Sequence, residues 1–310
     1  MSDEEQARHD SEYQALLAIF INFLKNIYSE ERDEILYSLM ELRADLAISH
    51  AFRGFNIDEE EALMLLKNLD DNNLTQEDKD KRDRIVAAVN NLIEFAVCEE
   101  YQVAAKTDEL YQSHVEKDEE YDIDFNNPED ADDYMAICSL YNDTYAKVEN
   151  ADIEYAMTIA YKWIHTAANE YLTYWTMNDN KVRPWHLALQ GYTARRDDFP
   201  AWMIPPIEWH CRCFLIAASG EEVTAQASDA KRVTAKVPQK PKHLDDVFSE
   251  SVCKCGRIFS ASHSYFRVAE KDKAFLQSCV ANIQAKYYGE IRQQKFYSWY
   301  AFARSTKSIR

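Results

Sequence analysis

Glycine is scarce in this chain: five residues in 310, with none between Gly54 and Gly191. Proline is absent before Pro128. Sheets with tight hairpins draw on Gly and Pro turns, so their absence argues against a β-rich first half. The first 180 residues therefore read as long helices joined by short polar connections. The same shortage removes phosphate-cradling loops, because neither a P-loop nor a dinucleotide fingerprint can be written with so few glycines. No H-E-x-x-H pair is present. Long apolar runs are lacking as well. The longest, ALLAIFINFL at 15–24, is too short to span a bilayer and contains Asn22. The opening MSDEEQARHD is acidic, unlike the basic start of a secretory signal. With seven cysteines and no such signal, free thiols in a reducing cytoplasm are expected.

What is abundant is charge, unevenly placed. Residues 1–150 carry 13 Lys and Arg against 38 Asp and Glu, a balance of −25. Residues 151–310 carry 22 against 16, a balance of +6, which brings the whole to −19. Such polarity points to two surfaces with different partners. The acidic half repels nucleic acid. The basic half suits nucleic acid or an acidic protein.

Periodicity predicts helices over 11–50, where Leu16, Ile19, Phe20, Phe23, Leu24 and Ile27 recur at helical spacing. Asp58 reads as a helix cap, and Thr75 with Asp78 as a capping pair. The stripe Ile85, Val89, Leu92 and Ala96 predicts a long helix to about residue 116. Residues 116–133 form an acidic break around Pro128. They lack the Gly and ligand order of a calcium loop, so a solvated connector is expected. Helical spacing resumes from Asp130 and runs to Trp175, with Trp163, Ala167 and Tyr171 on its later stripe. Four of the seven prolines (184, 200, 205, 206) then crowd 176–217. The stretch Cys213-Phe-Leu-Ile-Ala predicts a short strand. Residues 218–243 read as a surface linker and 270–303 as a basic, aromatic helix. The expected fold is α+β and predominantly helical. Its expected domains are an acidic helical domain (1–128), connecting helices (129–180) and a small α+β module (181–310).

Three chemistries compete for PPIEWHCRC at 205–213 and its surroundings. Zinc takes four N or S ligands, and His186, His210, Cys211 and Cys213 supply that chemistry. A second pair, Cys253 and Cys255, adds thiols. A cysteine nucleophile would need a His base and a third group to orient it, which Cys211 with His186 or His210 can sketch. Lys286, Arg292, Lys295, Trp299 and Arg304 sit among aromatics near the C-terminus, a mixture suited to phosphate contact and base stacking. Against these stands a non-chemical reading. The thiols are small buried hydrophobes with Arg212 facing out, Pro205 and Pro206 hold the chain extended, and His186 hydrogen-bonds across the motif. Arg183 and Arg212 would each clamp a carboxylate or carbonyl. This structural clasp is preferred over catalysis.

The same residues carry a family resemblance. Val182-Arg183-Pro184, His186, Leu189 and Gly191, then Pro205-Pro206, then Cys211-Arg212-Cys213, resemble the signature of phage Mu F-like minor head proteins, the head-morphogenesis family of tailed phages. Gly256-Arg257-Ile258-Phe259 and His263-Ser264-Tyr265-Phe266 resemble a second family segment, with Ser264 where the family more often has Pro. The resemblance covers about 160–270. It implies a minor capsid component, expected to be no enzyme and to need no cofactor; the alternatives are a zinc-dependent enzyme or nuclease delivered with phage DNA and a nucleic-acid-binding protein. It implies contacts to the portal protein and other head proteins, and a role extending to genomic DNA in packaging or ejection. The implied location is the capsid interior or portal vertex, after assembly in the host cytoplasm.

Overall fold

The structure is a computed structural model that describes residues 2–67, 71–118, 121–125, 127–217, 238–241 and 246–289. It is predominantly helical, with one small antiparallel sheet. The first helix, α1 (Asp3–Lys25), opens on a capping box: Ser2 Oγ accepts from the Glu5 amide and the Glu5 carboxylate accepts from the Ser2 amide. Helix α2 (Arg32–Gly54) follows, so the helical spacing of 11–50 is carried by two helices. Asp58 caps α3 (Glu59–Lys67) by accepting from the Glu61 amide at 2.8 Å. Thr75 and Asp78 form the second box, at the start of α4 (Gln76–Val115), which is 40 residues long.

Helix α5 (Pro128–Ser139) leads through a π-helical turn, Leu140–Tyr145, into α6 (Ala146–Ile164). The predicted continuation of helix to Trp175 is corrected here. Helix α6 stops at Ile164, and Tyr171–Trp175 is strand β1. Its β-branched and aromatic residues suit a pleated surface, and its backbone is paired by ladders on both edges. Helix α7 (Pro184–Leu187) has Pro184 in its first turn; strands β2 (Thr193–Arg195) and β3 (Phe214–Ala217) complete the sheet in the order β2-β1-β3. Thr173 pairs with Thr193 on one edge and Ile216 on the other. Helix α8 (Lys273–Tyr288) ends at Gly289, whose φ of 79° is the left-handed cap glycine supports. The helix predicted over 270–303 thus starts later, at Lys273, and ends at Tyr288; residues 290–303 lie outside the described residues.

The chain divides into two compact units that interleave along the sequence. One comprises 1–48, 92–149 and 264–310; the other comprises 49–91 and 150–263. Reading the chain in order gives the blocks 1–128, 129–180 and 181–310. The division in space differs because α2, α4 and α6 each contribute residues to both units.

In the first unit, Leu16, Phe20, Phe23, Met40, Phe95 and Ala96 are buried. His9 meets Asp143 at 2.8 Å, joining α1 to the π-helical turn, and Arg32 grips Asp108 through both carboxylate oxygens. Buried at the centre is Arg43, 2.8 Å from both Glu99 and Glu149. Tyr265 donates to the other Glu149 oxygen at 3.0 Å. Glu100 and Asn142 complete this group.

In the second unit, Phe55, Leu66, Ile85, Val89, Met157 and Tyr174 are buried. Gly54 lies against the backbone of Glu154: a Cβ there would sit 2.2 Å from its carbonyl oxygen. The irregular stretch after residue 245 is anchored by Asn91, whose amide side chain donates to the Phe259 carbonyl and accepts from its N–H. One side chain thus substitutes for a strand neighbour.

Candidate functional site: a histidine–dithiol clasp

The site lies in the second unit and is assembled from the turn after β1, from α7 and from the segment entering β3. Asp179 caps its own turn by accepting from the Lys181 amide at 3.0 Å. Arg183 is extended, and Pro184 starts α7 with its fixed φ, which brings His186 to the inner side. Gly191, at φ 83°, turns the chain back, and its N–H donates to the Tyr174 carbonyl at 2.9 Å. Pro205 and Pro206 are buried ahead of the thiols.

His186 is the centre, only 2% exposed. Its Nδ1 lies 3.2 Å from Cys213 Sγ and 3.9 Å from Cys211 Sγ. Its Nε2 lies 3.1 Å from Glu208 Oε2. That same oxygen accepts from Arg183 Nε at 3.0 Å and Trp185 Nε1 at 3.2 Å. Arg183 also donates to the Trp209 carbonyl at 2.8 Å. Arg212 faces outward and forms a two-toothed pair with Asp179 at 2.8 and 2.7 Å. The Tyr155 hydroxyl donates to the Cys213 carbonyl.

The electrostatics follow from this geometry. Because Nε2–H donates to the Glu208 carboxylate, Nδ1 turns its lone pair to the sulfurs. Cys211 is held well above the usual thiol range, by its hydrogen bond with Cys213 and by burial. Cys213 is lowered by that same bond, with help from the Arg183 and Arg212 charges. Tyr174, fully buried on β1, is pushed up by desolvation and by the two neighbouring thiols. Its hydroxyl makes no hydrogen bond of normal geometry among the described residues.

Ligand-type atoms of His186, Cys211 and Cys213 all lie within 4.8 Å of one another. His210, expected as a fourth zinc ligand, is not in this group. It is exposed at φ 57°, with its amide donating to Asp152. The left-handed backbone at His210 turns its side chain outward while Cys211 and Cys213 go inward. Cys253 and Cys255 are not in the group either: Cys253 is buried elsewhere, and Cys255 accepts from Arg84. The Cys213–His186–Glu208 series has the order of a nucleophile, a base and its orienter. However, Cys213 and His186 are each 2% exposed, which leaves an incoming substrate no path to the sulfur.

Comparison with known proteins finds a family that matches part of the chain. Residues 133–216 match the family described as Phage Mu protein F like protein. This segment is phage Mu F-like. The chain is also 47% identical over 51 residues to the Mu-like prophage FluMu F protein of Haemophilus influenzae. That match covers 16% of this chain and 12% of the relative. No solved structure matches. The Mu F-like segment contains every clasp residue from Asp179 to Cys213.

Outside that segment, His263 packs at 5.8 Å from the Trp209 ring and 5.9 Å from Phe259, so the second family-like stretch touches the motif through aromatic contacts. Tyr265 lies in the first unit, on Glu149. Lys286 is held by Asp45 at 2.6 Å and Glu41 at 3.2 Å. Arg292, Lys295, Trp299 and Arg304 lie outside the described residues, as does all but 238–241 of the 218–243 linker.

Sequence reasoning passed over Glu208, Trp185, Tyr174 and the buried carboxylates around Arg43. Glu208 had a signal: it stands inside the quoted motif, and a buried imidazole flanked by arginines calls for an anion. The Arg43 group had none, because its members come from distant helices.

Proposed function

We propose that this chain is a minor head protein of a tailed phage that acts in head morphogenesis by binding, not by catalysis. The observation that carries this reading is the Mu F-like match over 133–216 falling on a closed, buried clasp. Burial of the imidazole and both thiols suits a rigid docking unit better than a reaction centre. The partners that fit are other head proteins, with the portal protein foremost. The −25 balance of residues 1–150 favours a basic partner surface. The location that follows is the virion, at the portal vertex or capsid interior, after assembly in the host cytoplasm. A role in moving genomic DNA would act through the basic half.

The test is to find the chain in particles. Purified virions are analysed by mass spectrometry before and after genome release, alongside particles from a phage lacking the gene. Expected are a fixed small copy number per head and malformed or unfilled heads without the chain. Virions that lack the chain, or normal heads assembled without it, would overturn the reading.

A further inference from the structure

We propose that His186, Cys211 and Cys213 hold one zinc ion, and that the ion locks the turn at 183–191 to the chain entering β3. Three observations carry this. First, the distances fit. With Zn–N about 2.0–2.1 Å and Zn–S about 2.3 Å, tetrahedral angles require N···S separations of about 3.6 Å. The two observed separations, 3.2 and 3.9 Å, bracket that value. Second, the imidazole is oriented as a ligand. A metal-bound His gives its remote N–H to a carboxylate, and His186 gives Nε2–H to Glu208, itself fixed by Arg183 and Trp185. Third, the fully buried Tyr174 hydroxyl lies beside the Cys213 sulfur but makes no hydrogen bond of normal geometry among the described residues. A solvent oxygen on the fourth zinc position would give it one.

Binding releases both thiol protons, so Zn²⁺ with two thiolates and a neutral imidazole is a neutral unit. Neutrality suits the burial, since uncompensated thiolates there would be costly. With all three protein ligands buried, the ion's role is to hold the two segments together. The inference stands whether or not the chain is a head protein.

The test uses the full chain, purified without a metal-chelating tag under reducing conditions. Zinc per chain is measured by elemental analysis, before and after incubation with zinc chloride and desalting. About one zinc per chain is expected in the wild type and in Cys253→Ser/Cys255→Ser, and none in Cys211→Ser/Cys213→Ser. To keep the test independent of that variant's folding, cobalt(II) is also titrated into zinc-stripped wild type. A thiolate charge-transfer band saturating at one equivalent supports the site. Glu208→Gln should weaken zinc binding about 10–100-fold against a competing chelator. Wild type with no zinc after incubation, zinc retained in Cys211→Ser/Cys213→Ser, or cobalt spectra without thiolate bands would each overturn the proposal.

Discussion

Glu208 Oε2 stands 3.1 Å from His186 Nε2 and 3.0 Å from Arg183 Nε, so one carboxylate oxygen joins the buried imidazole to a partly exposed cation. Removing the carboxylate strands a buried N–H. Glu208→Ala should therefore destabilise the protein by about 1–3 kcal/mol. Glu208→Gln, which keeps an acceptor, should lose less than half of that. Urea denaturation followed by tryptophan fluorescence measures both. Equal losses in the two variants would show that the hydrogen bond to His186 is not what matters.

Arg43 is the contrasting case. It is fully buried among Glu99, Glu149 and Glu100, and their charges raise it further above its ordinary range against the opposing effect of burial. Deleting one partner of a buried charge group leaves the others uncompensated. Arg43→Met should cost roughly 3–5 kcal/mol and leave little folded protein at 37 °C. Arg212→Ala removes an exposed pair with Asp179 and should barely move the denaturation midpoint. Similar losses in the two variants would contradict the burial argument.

The same group predicts a pH dependence. Burial pushes Glu100 up from its ordinary 4.5 to about 8, opposed by Arg43 and the Asn142 hydrogen bond. Glu99 and Glu149 are raised for the same first reason. The folded chain therefore keeps protons that the unfolded chain releases above about pH 4.5. The stability this gives is complete below that pH and is lost as pH rises through about 8. Urea midpoints should fall from pH 5 to pH 8.5. Glu100→Gln should flatten that slope by roughly 3–5 kcal/mol over the window. A slope unchanged in Glu100→Gln would remove Glu100 as its source.

At Gly54 two effects oppose. Helix propensity favours Ala over Gly by about 1 kcal/mol. The added Cβ would, however, lie 2.2 Å from the Glu154 carbonyl oxygen, and backbone yields poorly. Overpacking of this kind typically costs about 1–3 kcal/mol, so Gly54→Ala should be destabilising on balance. A raised thermal midpoint for Gly54→Ala would show that the two helices part easily.

Legibility differed from element to element. Asp58 and the Thr75–Asp78 pair were readable because capping is a contact between residues three apart. The strand at 171–175 was masked because Trp163, Ala167 and Tyr171 continue a helical stripe into it. The ladders to 193–195 and 214–217 decide the outcome, and a local pattern contains neither. In the clasp, Arg183, His186 and the two thiols could be picked out by type. His210 could not be excluded, because its neighbours give no sign of a left-handed backbone at that position.

Sequence alone determined the helical character, the capped helix starts, the lopsided charge and the set of residue types able to form a clasp. All are properties of composition or of neighbours within a turn or two. Tertiary structure decided which nitrogen of His186 faces sulfur, which carboxylate faces the other, and which cation meets Glu99 and Glu149. Those choices join residues 22 to 106 positions apart. They are set by how helices and strands pack, because only packing decides which polar atoms are removed from water together and must satisfy one another.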